Sequence, residues 1–157
     1  MFATLRRSGG IEALVRRSGY SPASVSAASE ALIPELLACL RIFVENEGGE
    51  EVGVKSLLGV LEELGGGRLA AEIMGHEAIS LEPADAIFEQ ICDNRAIGRP
   101  IPGAIAEQSG VDQDVVENIL PLLAMLMCGY VAARAGGSGD GDGLHWALDL
   151  LVKDRKI

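Results

Sequence analysis

The residues of this chain with the most chemistry in them are two histidines, three cysteines and a scatter of carboxylates, and their spacing decides which chemistry is open. A zinc-binding helix carries its histidines at i and i+4, whereas His76 is followed directly by Glu77 and the other histidine is His145. Cys39, Cys92 and Cys128 have no CxxC or other paired spacing and stand among apolar neighbours, which reads as reduced core thiols of a cytoplasmic protein. Asp140 and Asp142 alternate like the first ligands of a calcium loop, but the next ligand position is Leu144 and no glutamate closes the loop. Gly65-Gly66-Gly67 before Arg68 invites comparison with a phosphate-binding loop. No strand precedes it and no Lys-Ser/Thr follows, so it reads as a helix breaker. Glu50-Glu51 and Glu62-Glu63 are adjacent pairs on solvated helices, and no Gly-x-Ser-x-Gly or Ser/His/Asp order supplies a nucleophile. The expectation is a non-enzyme with no catalytic, cofactor-binding or metal-ligating residue.

Composition points the same way. The 157 residues are 48% hydrophobic but only 4% aromatic, so the core must be built from Leu, Ile, Val, Ala and Met, a palette suited to close helix packing. Net charge is −10 and uneven: residues 1–45 carry +1 and the remainder −11, a surface that repels nucleic acid. The longest apolar run, residues 119–133, spans fifteen positions interrupted by Pro121 and Gly129. That is short of the ~20 residues a bilayer core demands, so it reads as a buried helix rather than a transmembrane segment. The N-terminus has arginines but no apolar stretch of signal-peptide length, which adds to the expectation of a cytoplasmic protein.

Apolar positions recur at a helical period throughout, which predicts an all-α bundle of about seven or eight helices. A helical domain over residues 1–135 divides into a first copy (10–46), connecting helices (50–92) and a second copy (99–133) of one pattern. A Gly/Ser/Asp linker (136–143) and a short amphipathic C-terminal helix (144–157) follow. Each copy is a short helix, a Ser-Gly turn and a long apolar helix containing a proline. Ser18-Gly19 aligns with Ser109-Gly110 at an offset of 91 and Pro34 with Pro121 at 87, which gives the first copy four extra residues. Pro34 should kink or break its helix.

The spacing of Ala106, Gly110, Val111, Val116 and Ile119 fits a helix-turn-helix. Its second helix offers Asp112, Gln113, Asp114, Glu117 and Asn118 where a DNA reader needs basic groups, and Ser21, Ala23, Ser24 and Ser26 of the first copy give no strong anchor either. Buried seams are expected at Leu14, Val25, Leu32 and Leu36 in one copy and at Ile105, Val116, Ile119 and Leu123 in the other. Leu144, Ala147, Leu148 and Leu151 form a stripe that can dock on the domain or on a partner.

The succession Arg17-Ser18-Gly19-Tyr20-Ser21-Pro22, Ala31-Leu32-Ile33-Pro34, Ser56-Leu57-Leu58-Gly59, Ala84-Asp85-Ala86-Ile87-Phe88 and Ala106-Glu107-Gln108-Ser109-Gly110-Val111, leading to Ile119-Leu120-Pro121, resembles the bacterial domain-of-unknown-function family nine-three-seven, to which YidB-like proteins belong. Where members carry glycine-rich text before the second copy, this chain has Glu89-Gln90-Ile91-Cys92. The resemblance implies a bacterial, all-helical protein and no catalytic residue. Three functions follow as expectations. The first is a helical protein-protein interaction module, with self-association included. The others are a DNA-associated regulator using the helix-turn-helix-like unit, and an enzyme or small-ligand protein with a site assembled across helices.

Overall fold

The computed structural model describes residues 2–92, 102–136 and 142–152. Among these residues there are nine α-helices and no strand: α1 (Phe2–Arg7), α2 (Gly10–Ser18), α3 (Pro22–Asn46), α4 (Glu50–Leu64), α5 (Arg68–Met74), α6 (Glu82–Ile87), α7 (Pro102–Ser109), α8 (Gln113–Gly136) and α9 (Asp142–Leu151). A π-turn, Phe88–Cys92, continues α6. The all-α class is as the periodicity predicts. The count exceeds seven or eight because α1 and α5 are too short to show a period, and packing makes them helical: Leu5 of α1 and Leu69 and Ile73 of α5 are fully buried.

The architecture is a bundle wrapped around α8, which packs against α2 to α7 and α9. Its apolar residues from Val115 to Cys128 are buried, apart from partly exposed Pro121. Within the helix, the 23 positions Gln113–Ala135 include an 18-residue stretch of mean hydropathy 1.8, long and apolar enough to cross a membrane. The fifteen-residue run of the sequence therefore understates the helix. Inside the fold 72% of that stretch is buried, the condition of a core helix. Closest approach is to α5: a Cβ added at Gly129 would stand 2.2 Å from the Ala70 backbone nitrogen, so only glycine lets the two backbones meet there.

α3 starts cleanly, with Ser21 as N-cap accepting from the Ser24 N–H at 3.2 Å and Pro22 at the first helical position. Of the kink or break expected at Pro34, the break does not occur: α3 runs on to Asn46 as one helix, and α8 likewise passes through Pro121. Glu30 and Pro34 both lie on the exposed face of α3, where water can satisfy the carbonyl that proline leaves without a donor. Arg16 and Arg17 of α2 reach across to the end of α5. Arg16 Nη2 donates to the carbonyls of Met74 and Gly75 at 2.8 and 2.9 Å, and Arg17 Nε to that of Ile73 at 2.8 Å. Gly65 and Gly66, at φ 136° and 55°, end α4 as the breaker reading expects.

Candidate functional site

The two turns singled out in the sequence are built alike. Gly19 and Gly110 lie in the left-handed region at φ 79° and 75°, and their N–H groups close α2 and α7 onto Val15 and Ala106 at 2.9 Å each. Ser18 Oγ accepts from the Tyr20 N–H and Ser109 Oγ from the Val111 N–H, both at 3.3 Å. All eight seam residues, Leu14, Val25, Leu32, Leu36, Ile105, Val116, Ile119 and Leu123, are buried. The units face each other: Asn118 Nδ2 donates to Tyr20 Oη at 3.0 Å and to the Asp114 carbonyl at 2.7 Å, and Gln113 donates to Glu117 at 2.9 Å. Of the polar residues of the second helix that a base reader would use, Asn118 bonds across to Tyr20, while Asp112, Gln113, Asp114 and Glu117 stay on the exposed surface.

His76, Glu77, Arg68 and Glu72 line an open cleft of about 630 Å³ between α5 and the following loop. A second cleft of about 280 Å³, with Arg17, Ser18 and Asn118, adjoins it at Ile79. Among the described residues no group of three His, Cys, Asp or Glu side chains is placed to hold a metal ion. Asp142 opens α9, Asp140 lies outside the described residues, and most of the 136–143 stretch and the charged end after Val152 lie outside them as well.

The arrangement with the most directed geometry is the seat of α9. This helix lies against α3, α4 and α8, burying Ala147 and Leu151 completely. Trp146 meets Tyr130 of α8 edge to face at 5.7 Å and 76°, while the Arg134 guanidinium stands 5.3 Å from the indole centroid. Arg41 of α3 donates through Nε and Nη2 to the Leu150 carbonyl at 3.2 and 3.1 Å, a fork closing the C-terminal end of α9. At the other end a Cβ on buried Gly143 would lie 2.5 Å from the Arg134 carbonyl, so the glycine that reads as linker permits the first turn of α9 to close on the last turn of α8. The amphipathic stripe made docking of α9 legible. Its anchors, Arg41, Tyr130 and Arg134, carry no sequence signal beyond being large and isolated.

Sequence reading also separates the cysteines, and the fold joins them. Cys39 from α3, Cys92 from the π-turn and Cys128 from α8 are all buried in one region of the core, Cys39 and Cys92 side chain to side chain. Cys39 and Cys92 are hydrogen-bonded through their side chains, and Cys128 lies close enough to Cys39 to feel its charge. The hydrogen bond from Cys92 holds the Cys39 thiol below its ordinary pKa against the opposing effects of burial and the Glu35 charge. Burial, with Cys39 adding to it, pushes Cys128 up to about 12. Comparison with known proteins returns no matching family model, no matching curated protein and no matching solved structure.

Proposed function

We propose that this chain is a non-enzymatic, cytoplasmic helical interaction module of bacterial type, related to the YidB-like family by the motifs quoted above, whose partner is a protein helix that takes the place of α9. What carries the reading is the way α9 is held. It is a separate helix joined to α8 through residues 137–141, Gly-Ser-Gly-Asp-Gly, and seated in a groove of α3, α4 and α8 by one edge-on aromatic contact, one arginine fork and two fully buried side chains. A groove filled by a tethered amphipathic helix is the intramolecular form of helix-in-groove recognition. Release of α9 uncovers an apolar strip of α8, the element with most to gain from a replacement.

The same reading takes α2–α3 and α7–α8 as copies of one unit. Their turns share φ angles and hydrogen bonds. A single offset of 91 pairs buried Val25, Leu32, Leu36 and Leu40 with buried Val116, Leu123, Met127 and Val131, so no four-residue insertion is needed and the prolines fall one turn apart.

The test is reconstitution in trans. A chain ending at Gly136 should bind a labelled peptide of residues 142–157 and an apolar dye, whereas the full chain should bind the same peptide at least about tenfold more weakly because its own α9 fills the groove. Equal peptide binding by the two chains, or none by the truncated one, refutes the proposal.

A further inference from the structure

Cys39 and Cys92, separated by 53 residues in sequence, are brought side chain to side chain by two different elements, with Cys128 of a third buried near Cys39. The delivery of Cys92 depends on the π-turn at Phe88–Cys92, a local widening of the helix that recurs at functional positions in proteins. Beside Cys92 and Cys128 lies a small space of about 10 Å³, bounded also by Leu36, Leu40, Ile87 and Met127. That is room for about one water molecule.

We infer that Cys39 and Cys92 are a redox-active dithiol that a small hydroperoxide oxidises to an intramolecular disulfide, joining α3 to the π-turn and leaving Cys128 as a bystander thiol. The side-chain hydrogen bond puts the two sulfurs in contact, the condition for bridging without moving either helix far. Cys39 is the attacking group. Its thiolate is the form favoured by the Cys92 hydrogen bond, and Cys128, pushed up to about 12, keeps its proton and does not compete.

In the first step the Cys39 thiolate attacks one peroxide oxygen. An S–O bond forms, the O–O bond breaks, and the departing hydroxide takes a proton and leaves as water. In the second, the Cys92 sulfur attacks the Cys39 sulfenic acid. The S–S bond forms, the S–O bond breaks, and the hydroxide leaves with the Cys92 proton as a second water. Two thiols and one hydrogen peroxide give one disulfide and two waters, and the peroxide is the only oxidant required. Cys39 and Cys92 are each 1% exposed, a burial that favours an oxidant of this size over a bulky disulfide such as oxidised glutathione.

The folded full chain is treated with hydrogen peroxide, quenched in acid, alkylated and digested with trypsin, which places Cys39, Cys92 and Cys128 on three peptides (18–41, 69–95 and 96–134). A 39–92 linked peptide with alkylated Cys128 is expected, forming at least about tenfold faster than in the urea-unfolded chain, because folding raises the effective concentration of one thiol at the other. Cys128→Ala should form the same link. Cys92→Ser should instead accumulate a dimedone-trapped sulfenic acid at Cys39, and oxidised glutathione should leave the folded chain reduced. Linkage through Cys128, three alkylated thiols after peroxide, an equal rate in urea, or equal oxidation by glutathione disulfide overturns the inference.

Discussion

Replacing Leu151 by alanine tests whether α9 is a releasable element or part of the cooperative core. Leu151 is fully buried, and a Leu→Ala change at such a site costs about 2–5 kcal/mol where the surroundings cannot move. α9 has an alternative to tolerating the cavity, which is to leave the groove. Among the described side chains of α9 the other fully buried one is Ala147, so the loss should appear as undocking rather than as global unfolding. Even the lower figure, about 2 kcal/mol, moves the docked-to-released ratio by about 30-fold.

The chain carries its own reporter, since its single tryptophan, Trp146, sits on α9 against Tyr130 and Arg134. In Leu151→Ala the Trp146 emission should shift to the red at temperatures well below the far-UV circular dichroism midpoint, and that midpoint should fall by no more than the docking energy of α9 allows, at about 2–4 °C per kcal/mol for a chain of this size. Coincident Trp146 and circular dichroism transitions, both lowered together, would mean that α9 leaves only when the core unfolds, and the latch reasoning would be refuted.

Two glycines make a sharp contrast. Gly129→Ala puts a methyl into the Ala70 backbone and should lower the urea midpoint by about 1–3 kcal/mol worth of stability after the helix-propensity gain of about 1 kcal/mol is set against a larger clash. Gly59→Ala, on the exposed face of α4 with nothing within 4 Å, should raise it by about 0.5–1 kcal/mol. The buried Cys128 thiol predicts a pH effect whose sign follows from its raised value. The unfolded thiol loses its proton near its ordinary value of 9.0 while the folded one keeps it to about 12, so its contribution is complete below pH 9 and is lost as pH rises through that window. The slope is about 1.4 kcal/mol per unit, and it is read as the difference between the parent chain and Cys128→Ala in urea melts from pH 8 to 11; parallel curves would contradict it.

Much of the fold was legible because helices announce themselves locally. The Gly19 and Gly110 turns and the eight seam residues all follow from periodicity and capping within a few residues, and the structure places them accordingly. Short α1 and α5 escaped because six or seven residues carry no reliable period, and the unbroken passage of α3 through Pro34 escaped because solvent exposure of one carbonyl decides it.

What sequence alone determined is the helical class, the paired turns, the absence of familiar catalytic spacing and the existence of a dockable C-terminal stripe. All of these depend on neighbours a few positions apart. Tertiary structure alone decided that α9 closes on α8 beneath Arg134 and Arg41, that arginines of α2 cap α5, and that Cys39 and Cys92, without any paired spacing, meet in the core. Contacts of that kind join residues 12 to 109 positions apart. Only the packing of whole helices around α8 sets them, and no periodicity along the chain encodes it.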